Sequence, residues 1–129
     1  MQSFELGRCY FGIGRIYSMR ENYDAALLFF TEGRIHAPDF TDNYIAAAEI
    51  YYNSKQYLQA AELCKTAFKY TNTAYWCSVY DIKSYYSYWL LGLCYYFLGK
   101  KLKAIGLIEI AYQLNPDEKF NDLIKNITT

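Results

Sequence analysis

Residues 88–99 read YWLLGLCYYFLG, twelve residues without a charged side chain. The uncharged run reaches back to Ser84 and is bounded by Lys83 and Lys100. A helix that crosses a bilayer needs roughly 20 predominantly apolar residues, so this run is too short to span one. It predicts a buried helix that packs against another helix.

The run contains one copy of a pattern of aromatic and small side chains that occurs three times. In each copy the four members fall on one helical face. The copies are Tyr10, Ile13, Gly14 and Tyr17; Tyr44, Ala47, Ala48 and Tyr51; and Tyr88, Leu91, Gly92 and Tyr95. The first two copies lie 34 residues apart and the last two lie 44 residues apart. Such repetition indicates a fold built from stacked units.

A second set of residues follows each copy with the spacing of a second helix. The sets are Ala26, Phe30 and Gly33; Ala60, Cys64 and Ala67; and Ala104, Ile108 and Ala111. Two antiparallel helices approach closely where a small residue meets a larger one. The pairs that we expect to face each other are Gly14 and Ala26, Ala48 and Ala60, and Gly92 and Ala104. Aromatic side chains then fill the space beside them, which gives the sixteen tyrosines a packing role.

The combined pattern resembles the tetratricopeptide repeat (TPR) family, whose aromatic, Leu-Gly, Tyr, Ala, Phe and Pro positions recur about every 34 residues. Pro38 and Pro116 close the first and third copies, and Asn72 stands at that place in the second. The resemblance implies an all-α fold, an α-solenoid of three TPR helix-turn-helix repeats plus a C-terminal capping helix. The expected single domain, 1–129, comprises repeats at about 7–40, 41–74 and 85–118, an insert at about 71–84 and a capping helix at about 117–127.

Caps and periodicity predict seven helices. The expected helices are 4–19, 23–36, 41–53, 57–70, 79–98, 101–114 and 117–127. The insert has two interpretations, an extended loop or extra turns at the front of the helix that carries Trp89. Its aromatic residues Tyr75, Trp76 and Tyr80 are expected to dock on the repeats. Asn115 is expected to cap the last helix, with Pro116 at its first position.

Composition argues against several classes of function. Thirteen basic and thirteen acidic residues leave the net charge near zero, so we expect no nucleic acid and no membrane among the partners. The four cysteines form no CxxC pair and the sequence has one histidine, so we expect reduced thiols and no metal site. Glu5, Arg8 and Arg15 interrupt the region where a signal peptide would be apolar, which predicts a cytoplasmic protein.

No motif predicts catalysis or a cofactor. The GIGR stretch at 12–15 lacks the preceding strand and the third glycine of a dinucleotide-binding fingerprint. The LGKKLKA stretch at 98–104 lacks the Ser or Thr and the first glycine of a phosphate-binding loop. We therefore expect this chain alone to be no enzyme, with no catalytic residues and no cofactor.

The resemblance implies that the first helix of each repeat lines a concave groove that binds a protein or peptide segment, or a second copy of the chain. The residues expected in the groove are Arg8, Phe11, Arg15, Asp42, Ile45, Glu49, Tyr52, Tyr86, Trp89, Leu93 and Tyr96. Arg8 and Arg15 stand at offsets that match Asp42 and Glu49, so neighbouring helices are expected to neutralise each other's charges. Trp89 is expected to anchor a partner. In the alternative, the insert or the last helix covers these groups.

A narrower resemblance covers residues 74–126, which are similar to the TPR tail of some bacterial family-two glycosyltransferases. The matching positions are Trp76, 94–96, Leu98, Gly99 and 114–116. This resemblance implies an alternative function, an accessory TPR region that dimerises a glycosyltransferase or positions its acceptor. The main expectation is a non-catalytic interaction module that mediates protein–protein binding or self-association.

Overall fold

The computed structural model describes residues 3–70, 79–80 and 84–129. These residues form seven α-helices and contain no strand. The helices are α1 (Ser3–Met19), α2 (Tyr23–His36), α3 (Asp42–Asn53), α4 (Tyr57–Phe68), α5 (Tyr85–Phe97), α6 (Lys101–Leu114) and α7 (Glu118–Thr128). Within the part described, none combines the length and the apolar character that a membrane-crossing helix requires.

The helices pack as three consecutive pairs in a solenoid. α1 packs on α2, α3 on α4 and α5 on α6, while α2 contacts α3 and α4 contacts α5. The first helices of the pairs also meet directly, α1 with α3 and α3 with α5. The all-α solenoid predicted from the repeats is confirmed.

The turn inside each pair uses the same backbone geometry. Glu21, Lys55 and Gly99 occupy equivalent positions, with φ values of 60°, 65° and 80°. This left-handed conformation is rare for residues other than glycine, so its appearance at Glu21 and Lys55 shows that the turn geometry is imposed by the repeat. The side chain of Asn22 then caps α2 by accepting a hydrogen bond from the Ala25 N–H.

Small residues set the spacing within the pairs. A Cβ atom at Gly14 would lie 2.5 Å from the ring of Phe30, so that ring fills the space beside the glycine. A Cβ atom at Gly92 would lie 2.8 Å from Ile108 Cγ1 and 3.4 Å from the Ala104 carbonyl oxygen. The predicted contact between Gly92 and Ala104 is confirmed. In both pairs the large residue beside the glycine lies four positions after the alanine, as Phe30 does after Ala26 and Ile108 does after Ala104.

The predicted start of α5 at residue 79 is wrong, because the helix begins at Tyr85. Val79 and Tyr80 lie in a bend, and Ser84 has extended backbone (φ −80°, ψ 163°), which stops the helix from continuing toward the N-terminus. Tyr75 and Trp76, which were expected to dock on the repeats, lie outside the described residues.

The predicted cap of α7 is also wrong. The Asn115 N–H donates to the Ala111 carbonyl oxygen at 2.9 Å, so Asn115 ends α6. A residue that precedes proline is disfavoured in helical backbone, which explains why the chain leaves the helix before Pro116. Asp117 caps α7 instead, since its side chain accepts a hydrogen bond from the Lys119 N–H at 3.0 Å.

Replacing Gly92 by Leu tests the packing within a pair. The side chain would enter space held by Ile108, so the free energy of unfolding should fall by roughly 1–3 kcal/mol or more. Gly106→Leu is the matched control, because a Cβ atom there would meet nothing within 4 Å. Urea denaturation of both variants measures the difference, and equal stability of Gly92→Leu and the parent would contradict the packing.

Candidate functional site

The groove surface is formed by α1, α3 and α5, and residues 79 and 80 lie in it. The buried carboxylate of Asp42 accepts hydrogen bonds from two consecutive backbone N–H groups. The Val79 N–H lies 2.6 Å from Oδ2, and the Tyr80 N–H lies 3.2 Å from Oδ1. Hydrogen bonds to an ionised carboxylate are stronger than those between neutral groups, so Asp42 holds this segment by its backbone.

Aromatic contacts hold the side chain of Tyr80 in the groove. Its ring centroid lies 6.2 Å from that of Phe11, edge to face, and 5.7 Å from that of Tyr86. The Tyr86 hydroxyl donates a hydrogen bond to the Glu49 carboxylate, and Glu49 and Tyr80 line one small cleft. Asp42 of α3 thus binds the backbone of this segment, and Glu49 lies beside its side chain.

The two tyrosines titrate at higher pH than free tyrosine. Burial, with the nearby charge of Glu49 adding to it, raises the pKa of Tyr80 from 10.0 to about 12. Burial also raises the pKa of Tyr86 far above its ordinary value, and the hydrogen bond to Glu49 acts in the same direction. Both hydroxyl groups are therefore neutral donors at physiological pH.

The eleven residues predicted for the groove differ in exposure. Those that are buried are Phe11, Asp42, Ile45 and Leu93; those that are partly buried are Glu49, Tyr52, Tyr86, Trp89 and Tyr96; and those that are exposed are Arg8 and Arg15. Tyr80 covers Phe11, and α7 covers Trp89, whose ring lies 6.0 Å from that of Phe120. Asp42 and Ile45 are 0% exposed and so form no part of the exposed surface of the groove, and the role of the eleven residues in binding a partner stays a prediction.

Arg15 does not pair with Glu49 as the offset predicts. No ion pair joins the two in the described part of the chain, and the Glu49 carboxylate accepts a hydrogen bond from the Tyr86 hydroxyl. The Arg15 guanidinium lies over the Phe11 ring, 5.5 Å from its centroid. Arg15 therefore presents a positive charge above an aromatic surface.

An open cleft of about 450 Å³ remains on the α1 side of the groove. Its lining residues are Arg8, Phe11, Gly12, Arg15, Ile16, Met19, Phe40 and Val79. The sequence analysis did not predict that Val79 and Phe40 line the groove, because it considered only residues on the first helix of each repeat. The apolar character of Val79 next to Tyr80 is the signal that could have indicated docking.

Cys64, Cys94 and His36 have the contacts of structural residues. Cys64 and Cys94 are buried, and burial raises the pKa of the Cys94 thiol from 9.0 to about 12. His36 stacks on Tyr10 and lies 3.7 Å from Glu32. Across residues 3–70, 79–80 and 84–129, no three His, Cys, Asp or Glu side chains come together in a way that could hold a metal ion.

Replacing Asp42 by Ala tests how strongly the segment is held. Two N–H groups would lose their acceptor, so the free energy of unfolding should fall by about 1–3 kcal/mol. Asp122→Ala on the exposed side of α7 is the control and should change stability little. Urea denaturation measures the free energy of unfolding of both variants. A decrease for Asp42→Ala that is no larger than the decrease for Asp122→Ala would refute the contact.

Alkaline pH should weaken the groove contacts. A tyrosine whose pKa is raised in the folded state contributes stability that is fully present below about pH 10 and is lost as the pH rises through 12. Tyr86→Phe should therefore reduce the fall in unfolding free energy between pH 10 and pH 12. Tyr23→Phe, at a side chain that is 46% exposed, is the control. An unchanged pH dependence of Tyr86→Phe would contradict the assigned burial.

Searches of known proteins find relatives in structure but none in sequence. No protein-family model and no curated protein matches the chain. The first TPR domain of Spaghetti (RPAP3), bound to an HSP90 peptide, aligns with a TM-score of 0.83 and 18% identity over 97% of this chain and 92% of that one. The N-terminal domain of stress-induced protein-1 from C. elegans aligns with a TM-score of 0.80 and 12% identity over 98% of each chain. The TPR domain of Arabidopsis OM64 aligns with a TM-score of 0.81 and 17% identity over 97% of this chain and 96% of that one. The chain thus adopts the TPR fold.

Proposed function

We propose that this chain is a non-catalytic interaction module whose groove binds a segment of a partner protein. The observation that carries the proposal is the pair of hydrogen bonds from the Val79 and Tyr80 backbone to Asp42, by which the groove holds a bent segment of this chain. Backbone N–H groups are common to every peptide, so this surface has the chemistry to hold a peptide by its backbone.

The side-chain contacts of Tyr80 indicate what else the groove accepts. The Tyr80 ring packs against the rings of Phe11 and Tyr86, and Glu49 lies beside it. Aromatic side chains give large contact areas at low entropic cost and are enriched in binding sites. The groove therefore combines backbone recognition with an aromatic pocket.

The open cleft beside Val79 indicates the chemistry of a partner. Ile16 and Met19 are 49% and 79% exposed there, and the Arg15 guanidinium has no ion pair with any described residue. An apolar segment that carries an acidic side chain would bury Ile16 and Met19 and neutralise the charge of Arg15. The RPAP3 domain, which shares the fold, is described as bound to the peptide SRMEEVD, which contains acidic residues.

The accessory role in a bacterial glycosyltransferase stays a prediction. It predicts a transferase domain with an Asp-x-Asp motif in the same reading frame, and an unrelated neighbouring domain would argue against it. The groove proposal does not depend on this outcome, since it rests on contacts within the chain.

Selection from a phage-displayed library of random dodecapeptides tests the proposed function. Peptides enriched on the parent should combine apolar and acidic residues, and a synthetic copy should bind Arg15→Glu at least about tenfold more weakly, which corresponds to 1.4 kcal/mol. Lys101→Glu on α6 makes the same charge change outside the groove and should leave affinity unchanged. The proposal fails if no peptide is enriched, or if Arg15→Glu binds the enriched peptides as the parent does.

A further inference from the structure

We propose that two copies of this chain associate through the outward side of α1, about a two-fold axis that places the two α1 helices antiparallel. This side, the open face of α1, consists of Glu5, Cys9, Gly12, Ile13, Ile16 and Arg20. It lies opposite the buried residues of the same helix, which are Gly7, Phe11 and Gly14. Gly12 and Ile16 belong both to this face and to the lining of the open cleft, whereas Glu5, Cys9, Ile13 and Arg20 lie outside that lining.

The equivalent residues of the other two repeats are covered. They are Asn43, Ala46, Ala47 and Ile50 on α3 and Ser87, Leu90, Leu91 and Cys94 on α5, and each is at most 8% exposed. On α1, Cys9 and Gly12 are exposed, and Ile13 and Ile16 are 39% and 49% exposed. The first repeat thus leaves open an apolar position that the later repeats bury.

In the later repeats, the cover of this position is a helix. Asn43 sits so close to Gly33 of α2 that a side chain at Gly33 would clash with it. Ala47 and Ile50 belong to the apolar cluster that contains Phe30 of α2. The position is therefore shaped for helix packing, and we infer that a helix of a second copy covers it on α1.

The open face is complementary to itself when two α1 helices run antiparallel. The resulting pairs are Gly12 with Ile13, Cys9 with Ile16, and Glu5 with Arg20, each formed twice. Gly12 gives the close approach, since a Cβ atom there would meet nothing within 4 Å in one copy. Glu5 and Arg20 are exposed and have no ion pair with any described residue, so the two-fold arrangement matches unpaired opposite charges.

A two-fold pair fits better than a head-to-tail stack. In such a stack the open face would pack on the end of the third repeat, but α7 covers that end with Phe120, which is fully buried, and with Ile127. Trp89, the anchor predicted from sequence, is covered by Phe120 and by Lys119, whose Nζ lies 5.0 Å from the Trp89 ring centroid. Self-association is therefore assigned to α1 rather than to α5.

Sedimentation velocity over a concentration series tests the interface with two matched variants. Gly12→Glu and Gly106→Glu each add a charge at an exposed helical glycine with nothing within 4 Å of the new Cβ atom. The parent should dimerise, and Gly12→Glu should raise the dimer Kd by about thirtyfold or more while Gly106→Glu leaves it unchanged. A parent that stays monomeric at all concentrations overturns the proposal and leaves a different segment or protein as the cover of this face. Equal Kd values for the two variants overturn it as well.

Charge exchange tests the antiparallel register. Glu5→Arg and Arg20→Glu each replace two attractive pairs by two repulsive ones, so each should raise the dimer Kd by about threefold or more. The double variant restores opposite charges across the axis, and its Kd should return to within about twofold of the parent. A double variant that dimerises more weakly than both single variants overturns the two-fold arrangement. Circular dichroism confirms that the four chains keep their helix content.

Discussion

The close approach of paired helices at a small residue determines the rest of this structure. Phe30 occupies the space beside Gly14, and Ile108 occupies the space beside Gly92, so neither glycine leaves room for a side chain. The left-handed turns at Glu21, Lys55 and Gly99 join each pair in the same way. Because the pairs are alike, they stack in register, and the first helices come to lie side by side.

That arrangement brings the groove residues together from distant parts of the sequence. Asp42 begins α3, and its carboxylate meets backbone groups 37 and 38 residues further along the chain. Glu49, two turns later on α3, accepts a hydrogen bond from the Tyr86 hydroxyl, and the Tyr80 ring packs beside Tyr86. The groove therefore holds residues 79 and 80 of this chain by their backbone and by one aromatic side chain.

Helix α1 contributes to two surfaces of different chemistry. Arg15 faces the groove above Phe11, Ile13 belongs to the open face, and Ile16 lies between them and contributes to both. The contrast follows from position in the stack. α3 and α5 are covered by the helices before them, whereas in the described residues nothing covers the equivalent side of α1.

Much of the fold could be predicted because each helix pair repeats the same local pattern. Six starts were within one residue of the prediction, at Ser3, Tyr23, Asp42, Tyr57, Lys101 and Glu118, since periodicity and caps act locally. The start of α5 was missed because the Val79 and Tyr80 contacts with Asp42 are tertiary and leave no local signal. The cap of α7 was missed because Asn115 and Asp117 can both cap a helix, and the backbone before Pro116 decides between them.

Amide hydrogen exchange of Val79 and Tyr80, followed by NMR, tests most directly the claim that Asp42 holds residues 79 and 80 in the groove. Hydrogen-bonded and buried amides exchange slowly, so both should exchange at least about 100-fold more slowly than the same amides in a short free peptide. Exchange of both amides at the rate of the free peptide would contradict the claim, because Asp42 would then not hold the segment in solution.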